Sequence, residues 1–335
     1  MQILVTGGSG FIGSNWIRKR LKEYPNDTIV NIDKLTYASN IGPLSEKYGG
    51  ERDLLEEEIS MSDRMGRYHH FRHDICDEDG ISKIINTMNP DVVVHFAAES
   101  HVDNSIENPS EFIDTNIIGT FNLLKLTLPL LKENPNFKFL HISTDEVYGQ
   151  LGDTGRFTEE TSYDPRSPYS AAKASSDHLV KSYFHTYGFP GIITNCSNNY
   201  GPYQHREKFI PKIITNYLSE NKIPVYGKGE NIRDWLYVED HCDALNTVLE
   251  KGKIGETYNI GGDNEIKNID IVEYIIEELG GNRLDLIEYV EDRLGHDFRY
   301  AINHSKITKE LGWKPKTNFK DGIKKTIEFY KGKNQ

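Results

Sequence analysis

The chain has 335 residues and a formal net charge of −12, and is 37% hydrophobic, 27% charged and 11% aromatic. That length suits about two domains of ~100–200 residues each. The composition excludes a disordered or collagenous chain, there is no ~18-residue apolar run to span a membrane, and the acidic balance argues against nucleic acid as a partner.

Met1 leads straight into Ile3-Leu4-Val5 without a charged leader, so no secretion signal is expected. Strand-like runs at Gln2–Thr6, Thr28–Asp33, Tyr68–Arg72, Asp91–Phe96 and Phe137–Ser143 alternate with helical spacing at Gly10–Glu23, Gly80–Met88, Pro109–Lys132 and Pro168–Tyr187. Alternation of this kind predicts an α/β fold: a Rossmann-like, doubly wound parallel sheet with helices on both faces. Further strands are expected at Ile192–Cys196, Trp235–Val238, Thr257–Ile260 and Leu286–Val290. Lys47–Met65 is charged and without period, and reads as a solvated insertion. Leu151–Pro168, with Gly152, Gly155, Pro165 and Pro168, reads as an ordered active-site loop. Cys76, Cys196 and Cys242 form neither a disulfide framework nor a C-x-x-C pattern, which points to a reducing cytoplasm.

The first strand runs into Gly7-Gly8-Ser9-Gly10-Phe11-Ile12-Gly13. Gly7 permits the turn, Gly10 lets a pyrophosphate reach the backbone, and Gly13 lets helix and strand pack closely. Any tight strand-to-helix turn favours glycine, so the cluster alone is weak. It gains force from Asp33, which ends the second strand twenty residues past Gly13. A carboxylate there binds the ribose hydroxyls of NAD and repels the 2′-phosphate of NADP, although Lys34 beside it is a counter-signal. Asp74 and Ile75 are expected near the adenine, and the small Ala97 and Ala98 against the cofactor. His69, His70, His73 and Cys76 are the densest His/Cys group. Their spacing is poor for a metal, and none is expected.

Tyr169-Ser170-Ala171-Ala172-Lys173 puts Tyr169 and Lys173 on one helix face. A phenol of pKa about 10 becomes a useful base near neutrality only beside such a cation. Tyr-x-x-x-Lys is common by chance. Here Thr144, ending a strand upstream, can bind the same substrate oxygen.

On these residues the chain resembles the extended short-chain dehydrogenase/reductase superfamily. Thr144-Asp145-Glu146-Val147-Tyr148-Gly149 resembles the hallmark of its nucleotide-sugar 4,6-dehydratases, and similar runs recur at residues 97–103, 167–170, 195–202, 232–240 and 292–297. The resemblance implies NAD as cofactor, with contacts from Gly7, Gly10, Phe11, Ile12, Gly13, Asp33, Lys34, Thr36, Asp74, Ile75, Ala97, Ala98, Ser100, Tyr169, Lys173 and Asn198. It implies a nucleotide-sugar substrate, dTDP-glucose, with UDP-glucose the alternative. Substrate contacts would come from Ser100, His101, Thr144, Asp145, Glu146, Asn198, Lys208, Val225, Tyr226, Arg233, Asn268, Arg293 and His296, the two arginines clamping phosphate. Thr144, Tyr169 and Lys173 would serve oxidation at C4, with Glu146 the base at C5 and a protonated Asp145 the acid that expels the C6 hydroxyl. Asn104 and Leu294 depart from the usual Arg and Pro, leaving thymine against uracil open. A 4-epimerase or decarboxylase on this fold would not need Asp145 with Glu146, nor would a non-catalytic NAD sensor. The expected NAD-binding domain covers residues 1–196, with returns near 235–251 and around 300. Residues 197–335 form most of a smaller, interleaved α/β substrate domain. The helices at 109–132 and 168–187 would pair across a homodimer as a four-helix seam.

Overall fold

The computed structural model describes residues 1–39, 44, 66–281, 283–292 and 295–333. The Lys47–Met65 segment and Arg293 lie outside the described residues. The strands are β1 (Gln2–Thr6), β2 (Thr28–Asp33), β3 (Tyr68–Arg72), β4 (Val92–His95), β5 (Lys138–Thr144), β6 (Gly191–Cys196), β7 (Asn198–Tyr200), β8 (Ile223–Tyr226), β9 (Ile232–Tyr237), β10 (Thr257–Ile260), β11 (Glu265–Lys267) and β12 (Ile287–Val290). A seven-stranded sheet runs in the order β10-β6-β5-β4-β1-β2-β3. β1 pairs in parallel with β2 and β4, β2 with β3, and β4 with β5. Strand order reverses at β1 and β4, with Thr6 opposite His95. That switch point is where doubly wound folds bind ligands.

The helices are α1 (Phe11–Glu23), α2 (Glu78–Met88), α3 (Val102–Glu107), α4 (Pro109–Phe112), α5 (Thr120–Thr127), α6 (Pro168–Tyr187), α7 (Phe209–Leu218), α8 (Val238–Lys251), α9 (Asn268–Glu278), α10 (Ser305–Leu311) and α11 (Phe319–Lys333). Ile3, Leu4 and Val5 are all fully buried, the mark of a sheet covered on both faces. Among the described residues no helix is long and apolar enough to cross a membrane.

Expected as one helix, Pro109–Lys132 is instead four pieces: α4, a π-helical turn at Ile113–Gly119, α5, and a 3-10 turn at Leu128–Lys132. Two side-chain demands break the regular ladder. Asn116 turns aside to pair with the Glu99 backbone, accepting from its N–H at 2.9 Å and donating to its carbonyl at 3.0 Å. Gly119 packs so tightly on Ile75 that a Cβ would lie 2.5 Å from Cδ1. Insertions of this kind produce π-bulges.

The chain divides into two compact units, the first comprising Met1–Thr144, Ser167–Thr194 and Leu245–Thr257, the second Asp145–Arg166, Asn195–Ala244 and Tyr258–Gln335. The first has a core of Leu4, Val30, Ile32, Val93, Leu123 and Phe139, the second one of Ile210, Ile213, Trp235, Ile271, Ile275 and Ile323. These limits differ from the expected ones. Tyr300 groups with the second unit, and so does Asp145–Arg166, because bridges Leu151↔Arg299 and Phe157↔Ile302 join those segments.

His95, His141 and His241 are buried, and burial is the leading cause holding each below the ordinary histidine value, His141 to about 4 and His241 to about 3. The unfolded chain then binds more protons than the folded one below about pH 6.5. Stability is therefore complete above that pH and is lost as pH falls. Denaturant titrations should show the unfolding free energy declining between about pH 6.5 and pH 5, by up to about 1.4 kcal/mol per pH unit for each imidazole. A flat profile across that window would contradict neutral burial.

Candidate active site

At the end of β1 the backbone turns through the glycine loop into α1. Gly7 has φ +72°, and a Cβ on it would lie 2.5 Å from the Ala97 nitrogen. A Cβ on Gly13 would lie 2.5 Å from the Gly7 carbonyl oxygen. Among the described residues, a Cβ on Gly10 would meet only that same oxygen, at 3.3 Å. The loop is thus pressed against β4 on one side and open above Gly10. No side chain caps α1, and its first turn, from Phe11 through Gly13, holds no acid. Its N–H groups and positive dipole end are directed at an incoming anion, and a diphosphate fits there.

Asp33, nearly buried, ends β2. Its Oδ2 accepts from the Ser9 N–H at 2.9 Å, and its Oδ1 accepts from the Leu35 N–H and the Ser39 hydroxyl, each at 2.9 Å. Leu35, at φ +59°, bends the chain round this carboxylate, and Thr36 follows half-buried. The ammonium of Lys34 is engaged by Asp74 at 2.7 Å, which removes its value as a counter-signal. Ile75 is buried, and its carbonyl accepts from Asn122 at 3.2 Å. Ala97 and Ala98 follow β4 and are half-buried. These residues fit NAD. The His/Cys group goes to protein partners: His69 to the Gly66 carbonyl at 2.9 Å, His73 to Asp77 at 2.8 Å, and the Cys76 thiol to the Asp114 carbonyl at 3.2 Å. Among the described residues no three His, Cys, Asp or Glu side chains are arranged to hold a metal ion.

α6 starts at Pro168 because Ser167 builds a capping box with Ser170: the Ser167 hydroxyl accepts from the Ser170 N–H at 3.1 Å, and the Ser167 N–H donates to the Ser170 hydroxyl at 3.0 Å. Such a cap stabilises a helix by about 1 kcal/mol. It also fixes the register, with Tyr169 in the first turn and Lys173 one turn on. The Tyr169 ring packs edge-on to Phe112, centroids 6.3 Å apart. Lys173 is buried, and its Nζ donates to the Ile142 carbonyl in β5 at 2.8 Å. Thr144, buried, ends that strand. The expected trio therefore comes from two adjoining elements of the first unit.

In the second unit, Asp145–Tyr148 forms a 3-10 turn with Asp145 buried and Glu146 half-buried. Gly149 closes it at φ +85°, where a Cβ would lie 2.5 Å from the Asp164 carbonyl oxygen. Tyr148 anchors it, stacking on Phe157 at 5.3 Å and donating to Asn259 at 2.9 Å.

Arg233, expected to clamp phosphate, is buried in the second unit. Its guanidinium donates to the carbonyls of Ile232 at 2.8 Å and Asp297 at 2.9 Å, and lies 4.2 Å over the Tyr300 ring. These contacts brace residues 297–300. The Val225 side chain lies inside the second core, while Tyr226 next to it is exposed and edge-on to His296 at 6.1 Å. His296 Nδ1 meets Asp292 at 2.6 Å. Asn198 and Lys208 are half-buried, Lys208 leading into α7, and Asn268 opens α9 with its N–H on the Asn231 carbonyl at 3.0 Å. In the first unit Ser100 is exposed, and the His101 ring accepts the Asn104 N–H at 3.4 Å.

Tyr300, not among the expected site residues, is buried in the second unit. Burial first, then the charge of Glu146, pushes its hydroxyl far above the ordinary tyrosine value. It donates to Asp297 at 2.5 Å. No local spacing marks it, and it lies three residues past the 292–297 run.

Comparison with known proteins gives concordant results. The family model described as GDP-mannose 4,6 dehydratase matches residues 4–326. A dTDP-glucose 4,6-dehydratase of Salmonella typhimurium is 51% identical, the match covering 100% of this chain and 94% of the relative. The crystal structure of a Bacillus anthracis dTDP-glucose 4,6-dehydratase in complex with NAD is 46% identical with a TM-score of 0.85, covering 99% of this chain and 97% of that one. A Streptomyces venezuelae dTDP-glucose 4,6-dehydratase, also with NAD bound, is 40% identical with a TM-score of 0.89 and the same coverages.

The loop geometry separates folding from cofactor binding. Gly10→Ala should leave the melting temperature nearly unchanged while weakening NAD binding at least tenfold in a calorimetric titration. Gly7→Ala, with positive φ and a backbone clash, should lower the melting temperature by several degrees. Equal effects of the two on NAD binding and on stability would show the space above Gly10 to be irrelevant.

Proposed function

The chain belongs to the GDP-mannose 4,6 dehydratase family, and we propose that it converts dTDP-D-glucose to dTDP-4-keto-6-deoxy-D-glucose and water, a step toward deoxysugars. The observation that carries this reading is the pair Asp145-Glu146, held in a pinned turn directly after Thr144, in a chain that also presents Tyr169 and Lys173 on a capped helix. NAD, when bound, accepts hydride from C4 and returns it to C6. Gly7, Gly10 and Gly13 leave room for its diphosphate, and Asp33 takes its ribose hydroxyls. Tyr169 removes the proton of the 4-hydroxyl, Lys173 supplies the nearby positive charge, and Thr144 holds the same oxygen. The C4 ketone acidifies the C5 proton, which Glu146 takes. Asp145 gives its proton to the C6 hydroxyl, which leaves as water. A 4-epimerase would use Tyr169 and Lys173 but has no task for the two acids.

A homodimer suits the surface of the first unit. Ile106, Ile113, Ile118 and Phe121 are exposed along the helical run from α3 to α5, whereas Phe112 and Leu124 on the same run are core. Exposed apolar patches of this kind mark interaction sites. A cytoplasmic location accords with the free thiols of Cys76, Cys196 and Cys242.

Stopped-flow mixing with dTDP-glucose, followed at the NADH absorbance, tests the roles. Tyr169→Phe should form no NADH. Glu146→Gln and Asp145→Asn should form it and then stall, with turnover reduced ~10²–10⁴-fold, the usual worth of a positioned acid or base. Solvent deuterium should enter C5 with the wild type and be strongly reduced with Glu146→Gln. Wild-type turnover in both acid variants would instead favour an epimerase. By light scattering, the wild type should be a dimer and the Ile113→Asp/Phe121→Asp double variant a monomer. A monomeric wild type would end the seam proposal.

A further inference from the structure

Asp177 lies in the middle of α6, is fully buried, and has no part in the chemistry above. It stands four residues past Lys173, on the same helix face. Two side chains of β5 turn to it. The Ser143 hydroxyl donates to its Oδ2 at 2.9 Å, and His141 Nε2 lies 3.2 Å from its Oδ1. The same His141 nitrogen is 3.1 Å from the Ser176 hydroxyl oxygen. Ser176 directs its own proton to the Lys173 carbonyl at 2.8 Å, so its oxygen must accept from His141. The imidazole is thereby held as the Nε2–H tautomer. Burial first, then the Lys173 charge, keeps it neutral.

The alternation of a strand explains the pattern. His141 and Ser143 project to one side, toward α6, while the carbonyl of Ile142 between them accepts from Lys173 Nζ at 2.8 Å. Three successive residues of β5 are thus tied to the single turn of α6 running from Lys173 to Asp177. The next residue of the strand is Thr144. A buried carboxylate is costly unless hydrogen-bonded; here it buys a fixed strand end beside the reacting groups.

We propose that Asp177 is a positioning residue for C4 oxidation: by holding the Ser143 hydroxyl it seats Thr144 against the turn of α6 that carries Lys173. This rests on the roles given above to Thr144, Tyr169 and Lys173. A misplacement of about 1 Å at a reacting group costs on the order of 10²-fold in rate. Asp177→Ala should therefore slow the single-turnover appearance of NADH about 100-fold per cofactor-loaded site, with KM for dTDP-glucose within about twofold. Asp177→Asn, whose amide oxygen can still accept from Ser143, should recover about a tenth of the wild-type rate. Should Asp177→Ala fail to fold, Ser143→Ala removes one grip alone and should slow the same step about tenfold.

A second readout needs no turnover. Histidine ¹⁵N spectra should show His141 as the Nε2–H tautomer in the wild type, with that signal shifted or split in Asp177→Asn. Lowered melting temperatures with wild-type single-turnover rates in Ser143→Ala and Asp177→Asn would reduce Asp177 to a structural residue and overturn the proposal. Tyr169→Phe serves as the control. If it stays inactive beside fully active Ser143→Ala and Asp177→Asn, the positioning role alone is lost. If it forms NADH at the wild-type rate, the assignment of Tyr169 falls and this inference with it.

Discussion

The first unit depends on the close approach of two backbones. The turn after β1 lies against the chain leaving β4, so near that Gly7 has no room for a methyl group beside Ala97. Parallel pairing of β1 with β4 brings those strand ends side by side, at the point where strand order reverses. Side chains at positions 7 and 13 would force the loop away from the sheet. The helix α1 could not then aim its first N–H groups over the switch point, and Asp33 would lose the Ser9 N–H that orients it.

Around that turn the polar side chains of the sheet are buried in pairs. Thr6 meets His95 at 2.6 Å, His95 meets Thr120 at 2.9 Å, and His141 meets the α6 turn below Lys173. Groups so costly to desolvate persist only when each has a partner, and each pairing then specifies one packing. The π-helical turn at Ile113–Gly119 belongs to the same logic. A regular helix there would deny the Glu99 backbone the Asn116 amide.

The second unit solves a different problem with the same means. Its acid pair sits on a short turn with few backbone hydrogen bonds of its own, so the surroundings must hold it. Tyr148 and Gly149 fasten the turn at one end. Residues 297–300 are braced by Arg233, and Arg299 grips the Gly152 and Gly155 carbonyls at 3.1 and 3.0 Å. Arginine suits this work because its fork of donors reaches several carbonyls at once without losing its charge.

Several features were legible in the chain itself because they depend on neighbours in sequence. The strand–helix alternation, the glycine loop with Asp33 and the Tyr169/Lys173 spacing all follow from local periodicity and local hydrogen bonding. The observed strand ends fall within a few residues of the expected ones. Tertiary structure decided what depends on partners distant in sequence. The break in residues 109–132 needs Glu99 and Ile75. The burial of Val225 and the bracing role of Arg233 need the second core and residues 297–300. The grip of Asp177 on Ser143 joins residues separated by 34 positions. A spacing rule describes one helix or one strand; which side chains meet across elements is set by packing, and only the folded chain contains that information.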